Sequence, residues 1–166
     1  LAARVHVLRE NAVDPLAAFR SVNVEGTRRL AQAAAKAGVV RFVLMSSAGI
    51  YGLDDSAATL DEGRAPAPHT PYAQSKWEAE QALSQIAAQH RLPVCVLRPP
   101  IVYGAGDSGN MLRLIALVAR NLPLPLGAVR NRRSMIHVAN LASAVETVAL
   151  HPRAAGRVYC VRDGVD

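Results

Sequence analysis

Apolar and polar positions change period several times along this chain, and the changes divide it into elements. Leu1 to Leu8 is apolar and tolerant of extended backbone, which predicts a strand. Asn11 to Pro15 follows as a turn, with proline placed to open a helix. From Leu16 the spacing is helical: Leu30, Ala33, Ala34 and Ala37 keep a helical stripe, and Gly38 stands where a C-terminal capping glycine belongs. Val39 to Met45 is then a continuous apolar run broken only by Arg41, the pattern of a parallel strand covered on both faces. It ends in Ser46-Ser47-Ala48-Gly49.

Asp54 to Pro71 is polar, Pro-rich and aperiodic, a loop of a length usually reserved for function. Thr70-Pro71 starts a helix that runs from Tyr72 to His90, and Leu92 to Leu97 is a short apolar strand stopped by Pro99-Pro100. Beyond Gly104 come a glycine-rich loop, a helix from Asn110 to Arg120 and the Leu-Pro alternation of Leu122 to Leu126. A strand through Ile136, a helix from Val138 to Leu150 and a last strand near Arg157 to Val161 complete the pattern. Strands alternating with helices make the fold class α/β with a parallel sheet. There is no internal repeat.

With 166 residues, 51% of them hydrophobic, and a mean hydropathy of +0.12, the chain suits one core. A net charge of +6 favours an anionic partner, but the composition argues against nucleic acid. Only Lys36 and Lys76 are lysines, the arginines are scattered apart from Arg28-Arg29 and Arg130 to Arg133, and aromatics at 4% are too few for base stacking. Cys95 and Cys160 are far apart in apolar runs, as expected of reduced core thiols rather than a redox or metal motif. No apolar run is long enough for a membrane span, so a soluble, cytoplasmic protein is expected. The chain opens at Leu1 inside a strand-like run, as a fragment of a longer protein would.

Candidate chemistry centres on Tyr72 and Lys76, four residues apart and on one face of their helix. A phenol of pKa about 10 is a poor proton shuttle at neutral pH, and an adjacent ammonium is expected to favour the phenolate. Lysine also brings three donors suited to ribose hydroxyls. The spacing alone is common in Ala-rich helices. Its context adds Ser47 at the end of a buried strand, the edge where open α/β sheets bind ligands, and a serine there can hold the hydroxyl whose proton the tyrosine takes.

Six ordered blocks extend this picture. They are Leu1-Ala2-Ala3, Asn23-Val24-Glu25-Gly26-Thr27, Ser46-Ser47-Ala48-Gly49-Ile50-Tyr51-Gly52, Pro71-Tyr72-Ala73-Gln74-Ser75-Lys76, Leu97-Arg98-Pro99 through Tyr103-Gly104, and Arg133-Ser134-Met135-Ile136-His137-Val138. In that order they resemble the extended short-chain dehydrogenase/reductases, in particular the NAD-dependent epimerase/dehydratase group acting on nucleotide sugars. The resemblance implies a Rossmann-like doubly wound parallel sheet. Residues 1–104 would be the later part of the dinucleotide-binding domain, with the catalytic residues, and 105–166 mostly a substrate-binding portion whose helix and strand return to the core. It implies Tyr72 as general acid/base, Lys76 as its electrostatic helper and ribose anchor, and Ser47 as the group orienting the reacting hydroxyl. Ala2, Asn23, Ser46 and Pro99 would lie near the cofactor, NAD or NADP. Asn110 and Arg133 would meet the uracil or diphosphate of a nucleotide sugar, arginine because its fork suits phosphate oxygens.

Blander readings stand beside these: Asn23 as relief of a helix kink, His137 as a packed structural histidine, Glu78 and Glu80 as solvated helix charges. Gly104-Ala105-Gly106-Asp107-Ser108-Gly109 has the G-x-G-x-x-G form but lacks an acidic residue about 20 positions on, no Asp or Glu occurring between Asp107 and Glu146. The glycine-rich phosphate turn is expected on the first strand, within two βαβ units of about 60 residues or more that would precede this sequence. The expected activity is C4 epimerisation of a nucleotide sugar through transient oxidation, in a homodimer when full length. The alternatives are a 4-keto sugar or other carbonyl reductase and a non-catalytic dinucleotide sensor. A 4,6-dehydratase is disfavoured because Ala48-Gly49 follow Ser47 where that branch carries Asp-Glu.

Overall fold

The computed structural model describes residues 3–5, 12–52, 61–105, 116–120 and 133–164. Ala2, Asn110, Arg130, Arg132, the Leu122 to Leu126 segment and most of the loop after Gly104 lie outside the described residues.

Helix α1 (Pro15–Lys36) opens as its sequence requires: the Asp14 side chain accepts the Ala17 N–H and proline takes the first helical position. It closes in a Schellman motif, with Gly38 N–H donating to Ala35 O and Val39 N–H to Ala34 O, and Gly38 at φ 63. That closure uses Val39, so strand β1 (Phe42–Met45) begins later than the apolar run predicts. Helix α2 (Pro71–His90) starts on a Thr70 cap with proline behind it. Strand β2 (Val94–Arg98) follows, then β3 (Ile101–Tyr103), β4 (Met135–His137), helix α3 (Val138–Leu150) and β5 (Arg157–Cys160). Residues 116–119 are helical.

Strands β1, β2 and β5 form one parallel sheet in the order β1-β2-β5, and β3 pairs with β4, also in parallel. Alternation along the first sheet assigns its two faces. Phe42, Leu44, Val94 and Val96 pack with Ala31 of α1 and with Leu83 and Ile86 of α2. Val43, Met45, Cys95 and Leu97 face the opposite way and pack with Ala144, Val145 and Val148 of α3 and with Ala154. The sheet is therefore wound on both faces, as expected. Cys95 is buried and Cys160 half-buried, and both are free thiols.

The strand expected at Leu1 to Leu8 is not seen in residues 3–5, which belong to no ladder. A side chain holds them instead: Asn23 on α1 accepts the Arg4 N–H (2.9 Å) and returns an N–H to the Arg4 carbonyl (3.0 Å), the two bonds a strand neighbour would make. Among the described residues no helix is long and apolar enough to cross a membrane.

Candidate active site

Parallel pairing does not stop where β1 and β2 end. Ser46 N–H donates to Leu97 O (2.7 Å) and Ala48 N–H to Pro99 O (2.8 Å), so the two chains stay laced across the carboxyl edge of the sheet. Ser46, Ser47 and Pro99 are gathered there. Ser47 is extended, and its Oγ accepts the Gly49 N–H at 3.0 Å, capping a 3-10 turn over Ala48–Tyr51. Gly52 leaves that turn at φ 84, where a Cβ would stand 2.7 Å from Ala67 O, so only glycine fits.

The first turn of α2 is laid against this edge. Its Lys76 is buried, and Nζ donates to the Met45 carbonyl at 2.6 Å, tying the helix to the end of β1. Burial pushes the Lys76 ammonium below its ordinary pKa, and the Glu80 charge opposes that shift. Tyr72 packs edge-on against Phe19 of α1, ring centroids 5.9 Å apart. Burial raises the pKa of its hydroxyl, while a side-chain hydrogen bond from Ser47 works the other way. The sequence expectation that Lys76 lowers the Tyr72 pKa therefore needs correction: the ammonium is bonded to Met45 O, Ser47 is the group favouring the phenolate, and desolvation outweighs it. Ser47, Tyr72 and Lys76 are nonetheless brought to one place.

Asn23 is buried, and its amide is directed at Arg4 and at Ser75 Oγ (3.0 Å), not at its own helix. Ser75 in turn donates to Tyr72 O at 2.7 Å. The side chain thus links the segment at residues 3–5 to the turn that carries Tyr72. Ser46 Oγ is buried without a hydrogen-bond partner. Arg133 is exposed, two residues before β4 of the second sheet. His137 caps α3 through Nδ1 and stacks edge-on with Tyr103 at 5.2 Å, a structural role. Asp163 accepts from Tyr103 Oη (3.1 Å), His137 N–H (2.7 Å) and Asn140 Nδ2 (2.8 Å), joining the exit of β3 to the start of α3.

Sequence reading missed one group. Glu80, expected to be solvated, is buried and held by a two-pronged bond from Arg98, Nη2 to Oε2 at 2.7 Å and Nε to Oε1 at 3.1 Å. The third prong of Arg98, Nη1, donates to the Tyr51 hydroxyl at 2.6 Å. Arg98 also lies over the Tyr51 ring (5.3 Å) and the Trp77 ring (6.0 Å). The signals were an arginine at the end of an apolar strand and a glutamate one helical turn past Lys76. Glu78 is partly exposed, but it too is engaged, by Arg20 at 2.6 and 2.7 Å.

Known proteins resemble this chain in sequence and in fold. The family model for NAD dependent epimerase/dehydratase matches residues 1–161. The chain is 38% identical to UDP-glucose 4-epimerase of Vibrio cholerae, over 99% of this chain and 51% of the relative. It is 30% identical to an N-acetyl-alpha-D-glucosaminyl-diphospho-ditrans,octacis-undecaprenol 4-epimerase of Escherichia coli O157:H7, over 93% and 46% respectively. It thus spans about half the length of the curated relatives it matches. Among solved structures, dTDP-glucose 4,6-dehydratase of Streptomyces venezuelae with NAD and TYD bound superposes with a TM-score of 0.81 at 28% identity, over 99% of this chain and 51% of that one. UDP-glucuronic acid 4-epimerase of Bacillus cereus, in complex with UDP-glucuronic acid and NAD, superposes at 0.82 with 21% identity, over 99% and 53%, and shows the same fold. A family match over nearly the whole chain, agreeing with the wound sheet and the converged Ser47, Tyr72 and Lys76, makes this chain a member of the NAD dependent epimerase/dehydratase family.

Proposed function

We propose that the chain supplies the proton-transfer side of an NAD(P)-dependent nucleotide-sugar 4-epimerase, acting on a UDP-hexose or UDP-N-acetylhexosamine through a transient 4-keto sugar. The observation that carries this reading is the gathering of Ser47, Tyr72 and Lys76 at the carboxyl edge of the sheet: Ser47 favours the Tyr72 phenolate, and Lys76, one turn along the same helix, is bonded to the end of β1. The residues present suit a dinucleotide. Ser46 Oγ is a buried polar atom with no protein partner, and the bond to Met45 O uses one of the three N–H groups that Lys76 carries. When bound, the nicotinamide supplies the oxidation and the re-reduction at C4.

The chain's own residues manage the proton and the fit. Tyr72 takes the proton of the C4 hydroxyl and later returns it, Ser47 holds that oxygen in place, and Lys76 offers its remaining N–H groups to ribose hydroxyls. On this reading Ala2, Asn23, Ser46 and Pro99 border the dinucleotide, and Asn110 and Arg133 border the sugar nucleotide. Residues 1–104 then serve the cofactor and 105–166 mostly the substrate. Elimination of water is not part of the proposal, since Ala48 and Gly49 follow Ser47 and carry no acid.

The full-length protein, incubated with catalytic NAD and UDP-glucose, UDP-galactose or their N-acetyl forms, tests this by NMR of the C4 configuration. Interconversion without net cofactor consumption is expected, and Tyr72→Phe should slow it by about 100-fold or more. Stoichiometric consumption of NAD(P)H with a 4-keto sugar, and no interconversion, would replace epimerase by reductase. Binding of NAD with no turnover of either kind would leave a sensor. A homodimer belongs to the same proposal, and light scattering that finds a monomer refutes that part.

A further inference from the structure

We propose that Arg98 is a positioning residue for proton transfer at this site: its guanidinium ties Glu80 of α2 to Tyr51 of the turn that Ser47 caps, and so sets the approach of Ser47 to Tyr72. This rests on the reading of Tyr72 as acid/base.

Geometry is the argument. Ser47 and Tyr72 stand on different elements, and Ser47 can act on the Tyr72 hydroxyl only while those elements keep their spacing. Arg98 touches both. Through Glu80 it grips α2 one turn beyond Lys76, and through Tyr51 it grips the far end of the 3-10 turn whose first residue is capped by Ser47. It is also the last residue of β2, next to Pro99, whose carbonyl holds Ala48. One residue thus joins its own strand to the two other pieces of chain that converge on the site.

The contacts are of a kind that fixes distance. A planar fork bonded at both oxygens of a carboxylate resists rotation, and both partners are only 6% exposed, so water does not soften the pair. Burying two charges gives little net stability compared with an apolar pair of the same size, so the arrangement is better suited to geometry than to holding the core together. The groups facing the pair are Lys76 and Trp77 on α2, Tyr51 on the turn and Cys160 on β5, whose thiol lies 3.3 Å from Tyr51 Oη. Glu62 reaches the same corner by accepting the Cys160 N–H at 2.6 Å.

The test uses the full-length protein with cofactor and compares Arg98→Lys and Tyr51→Phe with wild type. Lysine keeps the charge but loses the fork, whereas phenylalanine removes only the hydroxyl that Arg98 holds. Three readouts are taken: kcat and KM for the nucleotide sugar, the pH dependence of kcat, and the ultraviolet titration of Tyr72 as a difference against Tyr72→Phe. For Arg98→Lys, kcat should fall about tenfold with KM within about twofold, and the Tyr72 titration should move up by about one pH unit as the Ser47 bond loosens. Tyr51→Phe should move both in the same direction by less, and it decides the matter if Arg98→Lys does not fold. A lower melting temperature with kcat per folded molecule and the Tyr72 titration unchanged would overturn the proposal. Full activity in Tyr72→Phe is a different failure: it removes the acid/base reading, while the titration still reports whether Arg98 sets the Ser47 contact.

Discussion

Helix α2 carries Gln, Glu, Lys and Ser along its length and yet buries eight of its 20 residues, whereas α3 is mostly Val, Ala and Leu and buries only Val148. Neighbours explain the inversion. One side of α2 lies on the sheet and another on α1, and its alanines let both come close. Each polar group that this draws inside has a partner: Lys76 on Met45 O, Ser75 on Tyr72 O and Asn23, Glu80 on Arg98. Helix α3 meets the other face of the sheet through Ala144, Val145 and Val148 and leaves Val138 and Leu150 exposed. Apolar composition therefore says less about burial here than the number of surfaces a helix touches. The helix read as the more polar of the two is the one that can hold chemistry out of water.

Substitutions in the full-length protein put that contrast to work. Glu80→Ala leaves the Arg98 charge buried and unpaired, and should cost about 3–5 kcal/mol in denaturant unfolding. The double variant with Arg98→Met should recover most of that loss. Leu83→Ala, inside the α2 core at 1% exposure, should cost about 2–5 kcal/mol. Leu150→Ala on α3, at 76% exposure, should change stability by less than about 0.5 kcal/mol; a comparable loss at both positions would undo the comparison.

Smaller effects appear as pH dependence. Ser47 holds the Tyr72 pKa down against burial, so in Ser47→Ala the limb of the kcat profile that rises as Tyr72 loses its proton should move to higher pH. Against the start of α3, Asp163 is held below the ordinary carboxylate range by Asn140 first and by the His137 N–H next, against some burial. Its folded pKa is depressed, so the stability it contributes is present above about pH 4 and is lost as pH falls through the lower folded value. Melting curves between about pH 5 and pH 3 should therefore drop less steeply for Asp163→Asn than for wild type.

Much of this was legible along the chain. The bounds of α3, the parallel strands and the convergence of Ser47, Tyr72 and Lys76 follow from period, capping residues and ordered motifs. The Arg98 to Glu80 bond does not, because the glutamate sits in an Ala-rich helix whose pattern leaves its inner face open, and its partner belongs to another element. The Tyr72 pKa was misjudged for a related reason. Spacing placed Lys76 beside it, but a lysine side chain is long, and only the fold shows that its ammonium ends on a backbone carbonyl. The hold of Asn23 on Arg4 was hidden as well, since a side chain standing in for a strand leaves no periodic trace.

Because β1, β2 and β5 all run the same way, the sheet has two unlike rims. At the carboxyl rim lie Ser46, Ser47 and Pro99. At the amino rim Phe42 N–H meets Pro93 O (2.9 Å), Gly156 N–H meets Val94 O (2.7 Å) and Arg41 Nη2 meets His151 O (3.3 Å). Separated by the length of the strands, the two rims share no partners in these bonds, and damage at one should add to damage at the other to within about 0.5 kcal/mol. The amino rim is thus where this chain can absorb change in its sequence without disturbing the geometry on which proton transfer depends.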